Sequence, residues 1–344
     1  MLSAAPVDAE QPHRGRLRPS GFDLDSTAEA NRSFDRELCA LGESEPKAAC
    51  AEPSSCVPPV GVLGAAEQSA LAFQKQIGAL KRSGDVTAIL EGFHAHSAHV
   101  GVAKAASKAL FSLSSSSDEH DERIIGAGGA GQVVQAMRTH EQDKDVQEHA
   151  CRLLKNLCAL EDGKAAVERA GGAKAVLAAL RAHPQHHGVQ EHGLSALMNL
   201  VARSVANKQT VAREGGVAST LAAMRGHPKR AEIQRLACGL LMSLTYNNHD
   251  IKTLVASEGG VEAILVAMMA HQNHLGLQEM GCGALDNVAW SDPALQARVR
   301  DAGAVDIVEA AIADHFLGAT ANCKRYAEHL LATLCQSSDT GAPS

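Results

Sequence analysis

The chain has 344 residues, of which 45% are apolar and only 3% aromatic, and its formal net charge is −7. This mild acidic balance, with few rings to stack on bases, argues against a nucleic-acid-binding protein. No run approaches 18 consecutive apolar residues, so we expect no membrane-spanning segment. The nine cysteines form no CxxC pair and match no common zinc pattern.

Residues 1–60 mix Pro, Ser, Glu and Ala without a sustained apolar period, and they carry ten acidic and six basic residues. Such a composition predicts disorder, with a short helix considered near Ser26–Leu41. The stretch lacks the apolar core of a secretory signal, and its acidic residues disfavour a transit peptide. We therefore expect a cytoplasmic protein with reduced cysteines, and leave a nuclear location open.

Residues 65–82 predict a longer opening helix, and a fixed period of 43 to 44 residues follows it. Glycines mark this period, and four of the five are followed by a second glycine: Gly128, Gly171, Gly215, Gly259 and Gly303. Histidines keep the same spacing at His96, His140, His183, His227, His271 and His315. Glutamines do so at Gln147, Gln190, Gln234 and Gln278. A repeat of this length predicts stacked helical units.

Each unit divides into three predicted helices. The first ends at the repeated glycine, which must tolerate positive φ because the second helix follows almost without a loop. The second ends at the repeated histidine, which we expect to bond free carbonyls at that helix end. The third begins at a Val-Gln pair. One histidine per unit means side chains about 10 Å apart, too distant to share a metal ion.

A three-helix unit with paired glycines between its first two helices, and VQ…A…L.NL in its third, resembles the armadillo repeat. The closest units are VQEHACRLLKNLCALEDGKAAVERAGG and VQEHGLSALMNLVARSVANKQTVAREGG. The resemblance implies an all-α, right-handed superhelical armadillo solenoid over residues 61–336, followed by a disordered tail at 337–344. Its six units are placed near 65–117, 118–160, 161–204, 205–248, 249–292 and 293–336. A HEAT repeat is the alternative, but it has two helices per unit and does not need the glycines.

On a helical wheel, one arc of each third helix points away from the apolar core. The resemblance implies that this arc lines a concave groove, which we call the third-helix groove. Its candidate partner-binding residues are Glu148, Arg152, Asn156, Glu191, Ser195, Asn199, Arg235, Ser243, Tyr246, Glu279, Asn287 and Trp290.

The asparagines of this set, Asn156, Asn199 and Asn287, match by position those that hold an extended peptide backbone in the family's nuclear import adaptors. An amide suits that role because it offers both a donor and an acceptor. The alternative is that these amides hydrogen-bond neighbouring helix ends and rigidify the stack.

Tyr246 and Trp290 occupy the same position in adjacent units, and Gly239 and Gly283 are expected to leave open space beside them. One hypothesis makes the two rings the floor of a pocket for an apolar or arginine side chain of the partner. In the alternative, both rings fold over the helix end and cover core.

Motifs for catalysis, nucleotide binding or metal binding are lacking, so we expect no enzyme and no cofactor. The expected function is a monomeric scaffold or adaptor that binds an extended or helical segment of another protein. A regulatory or co-chaperone-like subunit that recognises a folded surface through the solenoid edges is the alternative. A nuclear import adaptor is disfavoured, because cations such as Lys108 and Arg152 stand where those adaptors have tryptophan.

Overall fold

The computed structural model describes residues 64–315 and 321–336, and every regular element in these ranges is an α-helix. The helices are α1 Ala65–Ser83, α2 Val86–Ala95, α3 Val100–Ser114, α4 Asp118–Gly126, α5 Gly129–Thr139, α6 Lys144–Leu157, α7 Glu161–Arg169, α8 Gly172–Ala182, α9 His187–Val201, α10 Val205–Arg213, α11 Gly216–Gly226, α12 Ala231–Thr245, α13 His249–Ser257, α14 Gly260–Ala270, α15 Leu275–Ala289, α16 Pro293–Asp301, α17 Ala304–His315 and α18 Ala321–Gln336. The disorder predicted for 1–60 and 337–344, and the helix considered near Ser26–Leu41, lie outside the described residues.

The helices stack as three-helix units, which confirms the predicted all-α solenoid. The third helices α3, α6, α9, α12, α15 and α18 pack side by side in chain order, and α1 packs against α3 at the start of this inner layer. The second helices α2, α5, α8, α11, α14 and α17 contact one another in the same order and form an outer layer. Apolar side chains between the layers make one continuous buried core.

Each repeated glycine lies between the first and second helix with a left-handed backbone, as predicted. The φ angles range from +73° at Gly128 to +83° at Gly303. The glycine that follows has a different reason to be small. A Cβ atom on Gly216 would lie 2.7 Å from the carbonyl oxygen of Val211 in the preceding helix. The paired glycines therefore combine one conformational and one steric requirement.

The repeated glutamines fasten the end of each second helix. Gln234 Nε2 donates to the carbonyl oxygens of Met224 and His227, both at 2.9 Å. The same pair of bonds recurs in the other units, from Gln147, Gln190 and Gln278. These side chains satisfy carbonyls that the helix end leaves without an intrahelical partner.

The repeated histidines end the second helices as predicted, but the expectation for their side chains is wrong. The imidazole of His227 does not bond its own helix. Its Nε2 lies 2.9 Å from the carbonyl oxygen of Pro184 in the preceding unit. Equivalent contacts are made by His140, His183 and His271. The glutamine side chains already donate hydrogen bonds to the free carbonyl groups at the helix end. The imidazoles therefore bond the preceding unit and link adjacent units.

Candidate protein-binding groove

The structure brings the predicted groove residues together on one surface. All of them lie on the four neighbouring third helices α6, α9, α12 and α15, or at the C-terminal caps of α12 and α15. Since these helices pack side by side, the residues form a ladder that crosses four units.

The asparagines of the ladder are buried, with at most 6% of their surface exposed. Asn199 Nδ2 donates to the carbonyl oxygen of Lys155 at 2.9 Å, and Asn287 Nδ2 donates to that of Met242 at 2.8 Å. Asn156 Nδ2 donates to Ser114 Oγ at 3.0 Å. In every case the acceptor lies at the end of the preceding third helix. These bonds match the interhelix alternative, while peptide clamping by the same amides stays a prediction.

The serines of the ladder are also covered. Ser195 exposes 4% of its surface and Ser243 exposes 1%. The longer charged and aromatic side chains of the ladder are therefore more exposed than its asparagines and serines.

The charged side chains at the first units of the ladder are partly buried. The guanidinium Cζ of Arg152 lies 4.7 Å from the centroid of the Phe111 ring, a cation–π distance. Glu148 lies 3.8 Å from His186 Nδ1, measured from its Oε2. A Cβ on Gly188 would meet the same carboxylate. The aromatic platform that holds Arg152 comes from the preceding unit.

The middle of the ladder combines acids with one arginine. Burial, and then the nearby carboxylate of Glu232, raise the pKa of Glu191. Burial disfavours the charged form of Glu232 as well, but two bonds from Arg235, at 2.9 and 2.6 Å, lower the pKa of Glu232. Glu279 lies partly buried at the equivalent position of α15. The surface thus offers both signs of charge.

Two histidines that the sequence reasoning did not select lie beside these charges. Burial, followed by the charges of Lys155 and Arg152, holds the pKa of His192 well below its usual range. Burial also lowers the pKa of His149, to which the charges of Lys108 and Arg152 add. His149 Nδ1 is buried without a hydrogen-bond partner. The sequence signal for these two histidines is that they occupy the same position in adjacent repeats, where the next two units have Leu236 and Met280.

We expect these histidines to make the protein less stable in acid. Their folded-state pKa is depressed, so below about pH 6.5 the unfolded chain takes up protons that the folded chain does not. Between about pH 7 and pH 5.5 this costs about 1 kcal/mol for His192 and less for His149. A His149→Leu, His192→Met variant, which copies the residues of later units, should lose less unfolding free energy over this range. Urea unfolding at both pH values measures it.

The matched control for this pH dependence removes the exposed His94 instead. His94→Leu should keep the wild-type slope of unfolding free energy against pH. Equal slopes for wild type and the double variant would contradict the assignment.

The open space expected beside Tyr246 and Trp290 is not there. A Cβ on Gly239 would lie 2.9 Å from Met198 Sδ and 3.3 Å from Met280 Sδ. A Cβ on Gly283 would collide with the Met242 side chain. The glycines are needed because methionines from neighbouring third helices lie across them. The pocket hypothesis is wrong in this respect.

Tyr246 and Trp290 cap the third helices α12 and α15 with extended backbone. Lysines from the first helices hold these caps. Lys208 Nζ lies 5.1 Å from the Tyr246 ring centroid and donates to the Tyr246 carbonyl oxygen at 3.4 Å. Lys252 Nζ donates to the Trp290 carbonyl oxygen at 3.0 Å. Burial lowers the pKa of Lys208 to about 8. Lys208 and Lys252 are 44 residues apart, and this spacing is the sequence signal that could have predicted their shared role at the helix caps.

The Trp290 ring also meets the last third helix. Its centroid is 4.8 Å from that of His329, and His329 Nδ1 lies 2.5 Å from Asp286 Oδ1. Both aromatic residues of the ladder are therefore held by basic side chains at the C-terminal end of their helices.

In residues 64–315 and 321–336 no group of three or more His, Cys, Asp or Glu side chains is placed to hold a metal ion. No single helix of these ranges is long and apolar enough to cross a membrane. The neighbours α13 and α14 reach that length and apolarity together, across a bend of 70°.

Comparison with known proteins relates this architecture to a known fold. Residues 81–221 match the family model of the LRRK2 ARM repeat. A designed armadillo repeat protein superimposes with a TM-score of 0.58 at 15% identity, over 67% of this chain and 92% of the other. The chain has the armadillo-repeat fold.

Two further solved structures resemble this chain. One is a designed armadillo repeat protein in complex with the peptide (KR)4, with a TM-score of 0.56, 14% identity and coverage of 67% of this chain and 91% of the other. Another comes from work on the phosphorylation switch that controls the interaction between cadherin and β-catenin. It has a TM-score of 0.63, 16% identity and coverage of 78% of this chain and 52% of the other. Identities this low show the fold alone. No curated protein matches the chain by sequence.

Proposed function

We propose that this chain is a non-enzymatic, monomeric scaffold or adaptor of the cytoplasm that binds an extended or helical segment of another protein. The observation that supports this most is the continuous third-helix groove, in which charged and aromatic side chains from four units form one ladder. Solenoids use such extended surfaces for binding. Among the similar structures, one designed armadillo protein holds a peptide.

The groove favours a partner segment of mixed character. Arg152 and Arg235 attract acidic residues, whereas Glu191 and Glu279 attract basic ones. A purely basic peptide would meet Arg152 where nuclear import adaptors of the family present tryptophan. We therefore do not propose an import adaptor.

A second candidate is a regulatory or co-chaperone-like subunit that binds a folded surface through the solenoid edges. Val266 and Met269, on one face of α14, are 56% and 48% exposed. Beside them a cavity of about 240 Å³ opens between α14 and α17, with Ile307 and Ala310 in its lining. Exposed apolar patches of this kind often mark contact sites.

The test is binding of the full chain to a tiled library of peptides from disordered proteins. The groove variant is Arg152→Ala, Glu191→Ala, Glu279→Ala, which removes side chains that a partner reaches and spares the buried asparagines. We expect its Kd to rise at least about tenfold, as for loss of interface hot spots.

The matched control carries three changes at exposed positions outside the ladder, Glu168→Ala, Lys174→Ala and Glu309→Ala, and should bind as the wild type does. Unaltered binding by the groove variant would contradict the groove proposal. Loss of peptide binding in Val266→Ser, Met269→Ser would place the contact on α14 and not in the groove, whereas no peptide binding by the wild type would favour the second candidate.

A further inference from the structure

The sixth unit is held against the fifth by contacts between the third helices α15 and α18. His329 Nδ1 lies 2.5 Å from Asp286 Oδ1, and the His329 ring lies against that of Trp290. One turn earlier on α18, the Tyr326 ring lies beside Gly283, where a Cβ atom would be 3.4 Å from Tyr326 Cδ2. These contacts fix which residues of the two helices face each other.

The same register brings two cysteines together at the preceding turn. Cys323 precedes Tyr326 by three residues on α18, and Cys282 precedes Asp286 by four on α15, so each lies one turn before a residue of the helix contact. Cys282 is fully buried, and Cys323 exposes 3% of its surface. Both are free thiols, and they are hydrogen-bonded to each other. The interface between the two units therefore contains a pair of thiols in contact.

The two thiols of this pair differ in acidity. The hydrogen bond with Cys323, and then burial, raise the pKa of Cys282, whereas the hydrogen bond from Cys282 lowers the pKa of Cys323. Burial raises the pKa of three other buried thiols to about 12: Cys151, Cys158 and Cys238. Because the thiolate is the nucleophile, Cys323 is the most reactive of these five thiols.

Cys323 also has a route to the solvent that Cys238 and Cys282 lack. It is the third residue of α18, which begins at Ala321, and the end of a helix opens at a lower free energy than its middle. The positive end of the helix dipole at this turn also favours the thiolate. Cys238 and Cys282 lie in the middle of α12 and α15. An oxidant therefore reaches the pair through Cys323.

We propose that Cys282 and Cys323 form a redox modification site, at which hydrogen peroxide produces a reversible disulfide between the fifth and sixth units. The Cys323 thiolate attacks one peroxide oxygen and becomes a sulfenic acid, and the hydroxide that leaves takes up a proton to give water. The Cys282 thiol then attacks the Cys323 sulfur, loses its proton and releases a second water. Each sulfur gives up one electron, and the peroxide takes both.

The disulfide would tie the sixth unit to the fifth. The two sulfurs move from hydrogen-bond contact to the disulfide length of about 2.05 Å. Forty residues separate the two cysteines, so the bond closes a loop that contains α16 and α17 and restricts the opened chain. Two molecules of a small thiol such as glutathione would reduce the bond by exchange and leave as their own disulfide. The proposal does not depend on partner binding in the groove.

Peroxide treatment of the full chain, followed by peptide mass spectrometry, tests this site. After a small molar excess of hydrogen peroxide, free thiols are blocked and an unreduced digest is searched for cross-linked peptides. We expect the Cys282–Cys323 cross-link to be at least about tenfold more abundant than any other pair, and to disappear with dithiothreitol. Cys282→Ser should abolish it and leave a Cys323 sulfenic acid that dimedone traps. The matched control, Cys238→Ser, changes the same repeat position on α12 and should keep the cross-link.

Hydrogen exchange of the wild type gives a second measurement that needs no variant. Amides of α18 should exchange at least about tenfold more slowly in the oxidised protein than in the reduced protein. In Cys282→Ser, peroxide should not slow this exchange.

Three results would overturn the proposal. One is a Cys323 that pairs in the folded wild type with Cys238, with the exposed Cys335 or with a cysteine of a second copy. Another is a Cys323 that is oxidised to sulfinic acid while Cys282 stays reduced. The third is a Cys282–Cys323 cross-link that forms only after the chain is unfolded in urea, because the folded contact would then have no part in its formation.

Discussion

Replacing Gly129 with alanine should destabilise the armadillo fold by about 3 kcal/mol, the upper end of the range for overpacking. A Cβ at this position would lie 2.9 Å from the carbonyl oxygen and 2.6 Å from Cγ2 of Ile124. Ile124 is fully buried in α4, so its backbone cannot yield without separating α4 from α5. Urea unfolding followed by far-UV circular dichroism measures the loss.

Two neighbouring glycines provide the controls for this prediction. Gly131 lies in α5, and a Cβ atom there would meet no other atom within 4 Å, so Gly131→Ala should stabilise the helix by about 0.5–1 kcal/mol. Gly128 has the same open space but a φ of +73°. Gly128→Ala should therefore cost about 1–2 kcal/mol. Equal effects at Gly129 and Gly131 would show that the backbone contact is not the constraint.

The sequence predicts the units of this fold because each repeated residue answers a local requirement. The left-handed glycine between two helices depends only on its own backbone, and the apolar positions of each helix depend on the helical period. The register of units along the chain follows from these alone. Neither requires knowledge of how one unit lies on the next.

The features that the sequence could not predict are the side-chain contacts between one unit and the next. The imidazole of His227 meets Pro184, 43 residues earlier, and the amide of Asn199 meets Lys155, 44 residues earlier. A wheel gives the direction of these side chains but not the neighbour that they reach. For the same reason, it could not show that Met198 and Met280 fill the space beside Gly239.

Gln234→Glu should destabilise the protein by about 4 kcal/mol at neutral pH. Gln234 exposes 2% of its surface and donates to two carbonyl oxygens at 2.9 Å. A carboxylate has no proton to donate and would be buried without a partner, a situation that costs about 3–5 kcal/mol. Unfolding free energy, measured over a range of pH, is the test.

The pH dependence of this variant has a defined sign. Burial beside two carbonyls raises the pKa of the introduced carboxyl above its unfolded value of about 4.3. The folded state then binds more protons than the unfolded one, so the deficit grows as pH rises above about 4.3 and shrinks in acid. In acid the carboxyl is protonated and can donate one of the two bonds.

Two variants separate charge from packing. Gln234→Leu removes the donor without adding charge and should cost less, about 1–3 kcal/mol for the carbonyls left unpaired. Gln135→Glu changes an exposed glutamine and should alter stability by at most about 0.5 kcal/mol. Because each unit contacts only its neighbours, faster hydrogen exchange in Gln234→Glu should centre on α11 and α12. A uniform increase in exchange rate along the whole stack would show instead that the units unfold together.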